Sequence, residues 1–493
     1  MQKADYENEN IYSRLEKSIA RLKEIFGDSS DLNVMRFETA GVKTALISLE
    51  GMVASRELSR IIYEPLREFS KRNRLPDEVF SYIADGCGFS NEKKVINTFG
   101  EGVQLLCGGF AIILVHGVSR GVSVAAQGYS IRAVSPPDSE SDVMGTREAL
   151  SDNIRTSISL IRRRVKSPRL RFEFVRAGKL SDIELCLVYI DGKTPKKLKN
   201  EVKSRLEKIK LELILTSGNI IPFISENGGS FFSGASTTER PDVLAAKVNE
   251  GRIAVLIDGI PYAVVYPSLF IENFQTVDDY SQKPYYVAYM RVIRYLAFII
   301  SALLPGAYVA AATHHPEVLS RLLLINLIAS EELTPYPLIV EMLIVIVMFE
   351  ILREAGLRLP KVIGGAVSIV GGLVIGDAAV TSGLIPAPLL IIIGITATCS
   401  FALPSLGQQM AVIRLINVVL GGLTGLFGIA VFSAIVFVNA CVTDAFGIPY
   451  TAPITPFTKS AMRDVLVRMG FLKMQQNHPT VEELNGSGGE NEN

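Results

Sequence analysis

The sequence predicts a two-part protein: an α/β cytosolic region built from two similar α/β modules, then an α-helical polytopic membrane domain. Three observations predict it. Residues 1 to 287 mix charged and apolar side chains, whereas 288 to 443 hold long runs almost free of charge. An apolar stretch of roughly 18 residues or more can cross the hydrocarbon of a bilayer. Within the front part, one pattern of apolar run, acidic-Gly turn and helix-period segment occurs twice.

The first copy opens on "VKTALISLEGMVASRELSRIIYEPLREF" (42 to 69) and the second on "IELCLVYIDGKTPKKLKNEVKSRLEKI" (183 to 209). Each is followed by a further helix and two strands. These are "EKKVINTFGEGVQLL", "GFAIILVHG" and "GVSVAAQ" in one copy, and "RPDVLAAKVNEG", "RIAVLIDG" and "YAVVYP" in the other. The strands are continuous apolar runs, as expected where helices cover both faces of a sheet. The predicted division is an N-terminal helical arm (1–32), a first module (33–140), a linker helix with a second module (141–287), a transmembrane domain (288–447) and a cytoplasmic C-terminal tail (448–493). The linker "SPPDSESDVMG" precedes a helix that ends on Arg162, Arg163 and Arg164. Cations suit a helix C-terminus; the alternative is that these three contact an anion or a neighbouring subunit.

Lysine plus arginine balance aspartate plus glutamate at 50 each, so net charge does not point to nucleic acid. The first residues, "MQKADYENENIYSRLEKSIARLKEIFG", contain no apolar core of a signal peptide, so the front part is expected to stay in the cytosol. The cysteines have no CxxC spacing and the histidines form no ligand set, so neither a metal nor a disulfide framework is expected. No phosphate-binding glycine loop follows a strand, and no catalytic triad can be proposed from residue order. "GGSFFSG" (228 to 234) is read as a mobile loop. Neither an enzyme activity nor a cofactor is predicted.

In the membrane half, "YYVAYMRVIRYLAFIISALLPGAYVAAAT" gives a first span at about 289 to 312, with Arg291 and Arg294 on its cytoplasmic side. Pro305 interrupts it, so a neighbouring helix must satisfy a freed carbonyl. Residues 315 to 335 are too charged to span and are placed at the far interface. A second span, about 337 to 355, carries Glu341 and Glu350 within its apolar run; intramembrane carboxylates are costly and face a partner or water. Arg353 and Glu354 lie within one turn of Glu350, which predicts an intrahelical pair.

"KVIGGAVSIVGGLVIGDAAVTSG" (361 to 383) follows. Gly364, Ser368, Gly372 and Gly376 recur every four residues and make a stripe on which helices approach closely. Val367, Val370, Val374 and Asp377 form a different stripe, which either faces lipid or lines a pore. In a symmetric oligomer these valines would form a dewetting constriction and the aspartates a cation-attracting ring. Residues 386 to 404 make a third clear hydrophobic segment. Residues 410 to 447 exceed one straight span, so Gly421, Gly422, Gly425 and Gly428 are expected to bend them or turn them into a hairpin. The basic tail (Lys459, Arg463, Arg468, Lys473) argues for a cytoplasmic C-terminus and therefore an even number of crossings.

Several long ordered stretches resemble one family: "DNIRTSISLIRRRVKSP" (152 to 168), "TTERPDVLAAKVNEGRIAVLIDGIPYAVVYP" (237 to 267), "HHPEVLSRLLL" (314 to 324), "FEILREAGLRLPKVIGGAVSIVGGLVIGDAAV" (349 to 380) and "FGIPYTAPITP" (446 to 456). Together these are similar to the A subunit of GerA-family spore germinant receptors. The SpoVAF-like subfamily shares most of these motifs. The resemblance implies a multi-pass protein of the endospore inner membrane with its N-terminal region on the spore-core side. It implies a transporter-like B subunit and a lipoprotein C subunit as partners. It also implies a ring of copies of the chain that passes monovalent cations on nutrient sensing, in contact with membrane lipid. The competing expectations are a non-conducting scaffold, a secondary transporter and a SpoVAF-like germination amplifier.

Overall fold

The computed structural model describes residues 5–53, 74–85, 92–128, 145–225, 229–332, 334–358, 376–445, 447–457 and 461–468, with isolated residues between and beyond them. Val367, Val370, Val374, Gly364, Ser368 and Gly372 lie outside the described residues, as does most of the first module's segment 54–73.

The first module runs α1 (Leu15–Ile25), β1 (Leu32–Thr39), β2 (Val42–Leu49), α2 (Pro76–Asp85), β3 (Lys93–Ile96), α3 (Phe99–Cys107), β4 (Phe110–Val115) and β5 (Gly121–Ala125). The second repeats the plan with α4 (Ile154–Arg164), β6 (Leu170–Ala177), β7 (Ile183–Ile190), α5 (Lys196–Glu207), β8 (Ser236–Thr238), α6 (Pro241–Asn249), β9 (Ile253–Ile257) and β10 (Ile260–Tyr266). The two five-stranded sheets have corresponding orders, β1-β2-β4-β5-β3 and β6-β7-β9-β10-β8. Every neighbouring pair is antiparallel.

The continuous apolar runs have the expected cause. On β7, Leu185, Leu187 and Tyr189 pack with Leu198, Val202 and Leu206 of α5. Cys186, Val188 and Ile190 of the same strand face Ile158, Ile161 and Leu244 of α4 and α6. Alternate side chains therefore enter two cores, and neither face is free to be polar.

Three features depart from the sequence reading. Residues 15–25 are not a separate arm: Leu15, Ile19 and Leu22 share a core with Ile47, Leu106 and Ile112. Helix α1 leads the first module as α4 leads the second. The edge strands β1, β3, β6 and β8 were not predicted as strands, and "EKKVINTFGEGVQLL" is a strand and a helix rather than one helix. Thr98 divides it, its side chain accepting from the backbone N–H of Glu101 as the N-cap of α3.

The modules meet through buried polar contacts. Arg162 and Asp31 have fully buried side chains; Nε and Nη2 of Arg162 donate to Oδ2 of Asp31 at 3.0 and 2.6 Å. The backbone N–H of Ser30 donates to the carbonyl of Phe172, and that of Phe172 donates to Oγ of Ser29.

The rest is helical: α7 (Pro284–Thr313), α8 (Arg321–Glu331), α9 (Leu338–Arg358), α10 (Gly376–Thr381), α11 (Ala387–Phe401) and α12 (Gly407–Val442). Among the described residues, α7 and the segment Pro404–Val442 are long and apolar enough to cross a membrane. Gly425 interrupts α12 with φ 67° and ψ −154°, a combination essentially confined to glycine. A Cβ there would meet His314 and His315 at the end of α7 farthest from the modules. Beyond it, Asn439 Oδ1 accepts from Ser230 and Phe231 of the second module. Before it, Leu406, Met410 and Ile413 share a core with Phe232 and Phe274. Both ends of α12 thus lie at the module end of the bundle and Gly425 at the far end, so the long apolar region is a helical hairpin.

Candidate functional site: charges and glycines of the helical domain

The second module is clasped to the bundle. Phe232, Phe270, Phe274 and Tyr450 form an aromatic cluster, with Phe232 and Tyr450 stacked at 5.7 Å and Phe270 edge-on to Phe298 of α7 at 5.7 Å. "GGSFFSG" is therefore no mobile loop where it is described. Phe232 is buried, and the Ser230 hydroxyl donates to Asn439 at 2.9 Å.

Arg291 and Arg294, at the start of α7, are held by charge. Arg291 is fully buried; its Nε donates to Asp279 at 3.0 Å and its Nη1 reaches the Asp464 carboxylate at 3.0 Å. Arg294 donates to the same Asp279 at 2.8 Å. Burial opposes ionisation of Asp279, but the hydrogen bonds and charges of Arg294 and Arg291 outweigh it and hold the carboxyl below its ordinary range. Arg468 of the tail donates to the carbonyls of Tyr280 and Gln282. Nearby, the Glu272 side chain is 10% exposed and pairs with Arg252 and Lys247. Burial alone would raise its carboxyl; Arg252 and Lys247 reverse that and hold it at about 2. Module, helix and tail are thus joined by one charged junction.

The arginines predicted for subunit contact are used within the chain. Arg162 forms the buried seam with Asp31, so its guanidinium is closed to a neighbouring subunit. Arg163 and Arg164 pair with Glu148 at 3.2 and 2.7 Å and stay partly exposed. Arg164 also donates to the Leu160 carbonyl, completing the helix end.

Within the bundle, Glu350 pairs with Arg353 at 2.6 Å. It also accepts at 3.1 Å from Arg414, a buried cation on α12 that sequence reasoning missed. Glu354 pairs instead with Arg358 at 2.6 Å. Glu341 is 1% exposed, and neither carboxylate oxygen has a partner of hydrogen-bond geometry among the described residues.

The observed close helix contacts use other glycines. A Cβ on Gly306 of α7 would stand 2.6 Å from the Asn417 carbonyl, and one on Gly421 would stand 2.5 Å from the Gly306 carbonyl. Backbones of α7 and α12 meet where neither carries a side chain. Beside this crossing Asn417 donates to the Ala302 carbonyl at 3.1 Å. That carbonyl neighbours the one on Ser301, which Pro305 deprives of its donor. Of the predicted stripes, two described residues remain. Gly376 is buried, where a Cβ would lie 3.4 Å from Leu390 of α11; Asp377, the next residue, is exposed. Among the described residues no group of three or more histidine, cysteine, aspartate or glutamate side chains could hold a metal ion.

A duplicated α/β domain bonded to a bundle of apolar helices, with charges buried between those helices, defines a helical membrane-protein class with an α/β front. Residues 20–480 match the model of the family described as Bacillus/Clostridium GerA spore germination protein. The chain belongs to that family. It is 36% identical over 466 residues to spore germination protein KA of Bacillus subtilis (strain 168), covering 93% of this chain and 85% of that protein. It is 31% identical over 489 residues to the uncharacterized membrane protein YfkQ of the same organism, covering 98% and 94%. The crystal structure of the N-terminal domain of the A subunit of the Bacillus megaterium spore germinant receptor GerK3 aligns with 53% of this chain and 97% of that one, at 25% identity and a TM-score of 0.41.

Proposed function

We propose that this chain is the membrane subunit of a nutrient-germinant receptor in the endospore inner membrane. Copies of it form a ring whose central path, lined by Val367, Val370, Val374 and Asp377, passes monovalent cations when germination begins. The observation that carries this reading is the divergence at Gly376 and Asp377: the glycine is turned into the bundle and the aspartate out of it. That is what a helix with one packing stripe and one path-lining stripe requires at its end.

The topology supports it. Ala378 and Ala379 share a cavity wall with Glu341, near the start of α9. Arg358 ends α9, about 25 Å further along at 1.5 Å per residue. Arg358 and Gly376 therefore stand at opposite ends of the bundle. Asp464 of the tail pairs with Arg291 at the start of α7, beside the second module. Tail and modules then share one side, the cytosolic side by the basic residues of the tail.

The expected partners are a transporter-like B subunit that binds the nutrient and a lipoprotein C subunit. Nutrient binding opens the ring only if the nutrient has higher affinity for the open state. The test is potassium release from liposomes holding the full-length protein, native or Val370→Ala. A shorter side chain at a dewetting constriction should leak more. Absent flux from both, with the chain shown to be a stable oligomer and co-reconstituted with its B and C partners, would replace this reading with a non-conducting scaffold, and equal flux from both would remove Val370 from the constriction.

A further inference from the structure

The start of α7 sets the level of one membrane surface. Tyr285, Tyr289, Val292, Leu296 and Ile299 are exposed and recur at intervals of four and three residues, so they form one outward stripe along the helix. Its first two members are tyrosines, whose rings suit the headgroup layer, and the next three are aliphatic, as the hydrocarbon requires. The tail is bonded to this same level. Arg291 Nη1 donates to the carbonyl of Val465 at 3.1 Å, and Arg468 donates to the carbonyls of Tyr280 and Gln282 at 2.9 and 3.1 Å. Leu466 and Val467 lie between those two anchors, and therefore beside the turns of α7 that carry Tyr285 and Tyr289. Val465 turns inward, into a core with Leu269, Ile271 and Ala452, and Arg468 is buried. Leu466 and Val467 turn outward and are 46% and 59% exposed. Two adjacent aliphatic side chains are thus held outward by the buried contacts of the residues on either side of them.

We propose that this stretch of the tail is an interfacial lipid anchor. Leu466 and Val467 enter the boundary of headgroups and acyl chains in the leaflet on the module side, beside Tyr285 and Tyr289, while the second module rests on the tail's other face. Two observations commit the surface to lipid. First, the pair continues the outward stripe of α7 at the level of its tyrosines, so the same leaflet meets both; interfacial apolar groups enter that boundary by about 5–10 Å, and aliphatic side chains there leave water without needing a polar partner. Second, the tail sequence around the pair carries Lys459, Arg463 and Lys473 against the single acid Asp464, which is already paired with Arg291. A basic segment at a membrane surface is drawn to anionic headgroups. Such an anchor pins the charged junction of Asp279, Arg291 and Asp464 at the bilayer surface. It does not depend on the proposed cation path.

The chain contains no tryptophan, so one introduced tryptophan reports its own surroundings. The test is quenching of its fluorescence by phosphatidylcholine brominated on the acyl chains, with the full-length protein in nanodiscs of phosphatidylcholine and phosphatidylglycerol. Tyr285→Trp is the reference for lipid contact. Leu180→Trp is the exposed reference away from lipid, in the β6–β7 turn at the sheet end opposite Tyr266. Val467→Trp and, separately, Leu466→Trp are expected to lose at least about half the share of intensity that Tyr285→Trp loses, and more to bromines near the glycerol end of the chain than to bromines near the methyl end. Either variant decides if the other does not fold. Leu180→Trp is expected to keep its intensity. Tryptophans at 466 and 467 quenched no more than the one at 180, beside a quenched Tyr285→Trp, would overturn the proposal; crosslinking of two chains through Val467→Cys would then make the patch a contact between copies. Quenching at none of the four positions would overturn the placement of the start of α7 at the membrane surface, and the proposal with it.

Discussion

The two α/β modules share one strand order, yet only the second is described in direct contact with the bundle and the tail. The first module's buried charge, Asp31, is directed toward the second module's Arg162. The second module adds Phe232, Phe270 and Glu272 to a junction with α7, α12 and the tail. Duplication therefore gave one module that is held and another that holds. The difference lies in connections rather than in fold: a sheet with both faces covered by helices is stable in either setting, and its loops determine what it couples to.

The sharpest way to break this asymmetry is at the junction. Arg291→Leu leaves Asp279 and Asp464 facing each other without their shared cation, and breaking such a buried network costs about 3–5 kcal/mol. The expected outcome is a large fall in thermal midpoint of the full chain in detergent, with faster hydrogen exchange at residues 461–468. The equivalent change at the seam, Arg162→Leu, should expose the linker helix to proteolysis while leaving exchange in the tail unchanged.

Glu272 sharpens the comparison by pH. Its folded carboxyl sits at about 2 against an ordinary 4.5. Its contribution is therefore complete above about pH 4.5 and is lost as pH falls toward 2. Glu272→Gln should cost about 3 kcal/mol at pH 7, and the gap in unfolding midpoint between native and variant should close on acidification below 4.5. A gap that stays constant would mean that shape, not charge, holds this contact.

Gly306→Ala drives a methyl toward the Asn417 carbonyl at 2.6 Å. It should cost about 1–3 kcal/mol, as overpacking does, with the loss confined to the α7–α12 contact and read by cysteine crosslinking across it. The smallest effect belongs to Arg163→Ala, which removes one part-exposed partner of Glu148. A change in stability of no more than about 1 kcal/mol is expected in chemical denaturation.

Much of the fold was legible because apolar periodicity is local. The runs at 42–49, 110–115, 183–190 and 253–257 are central strands, read from their continuous burial. Edge strands such as β1, "LNVMRFET", alternate in burial and carry charge, so they lack that signature. Tertiary partners were not legible. Asp31 and Arg162 are 131 residues apart, and Ser230 lies 209 residues from Asn439. Nothing in "GGSFFSG" itself reports a distant acceptor. The glycines at 421 and 425 read as a break, but whether the break bends or reverses the chain depends on what lies at each end. The Glu350–Arg353 pair followed from helical spacing, whereas Arg414 needed the packing of α12.

The central claim is that exposed Asp377 ends a cation path formed by copies of this chain. The most direct measurement is the reversal potential of full-length protein, reconstituted with its B and C partners in a planar bilayer under a potassium chloride gradient, native against Asp377→Lys. The account predicts a cation-selective native current and a shift of the variant's reversal potential toward that of chloride. An identical reversal potential in a conducting Asp377→Lys ring would contradict it, because a ring of charges at a path mouth cannot change sign without altering which ion is drawn there.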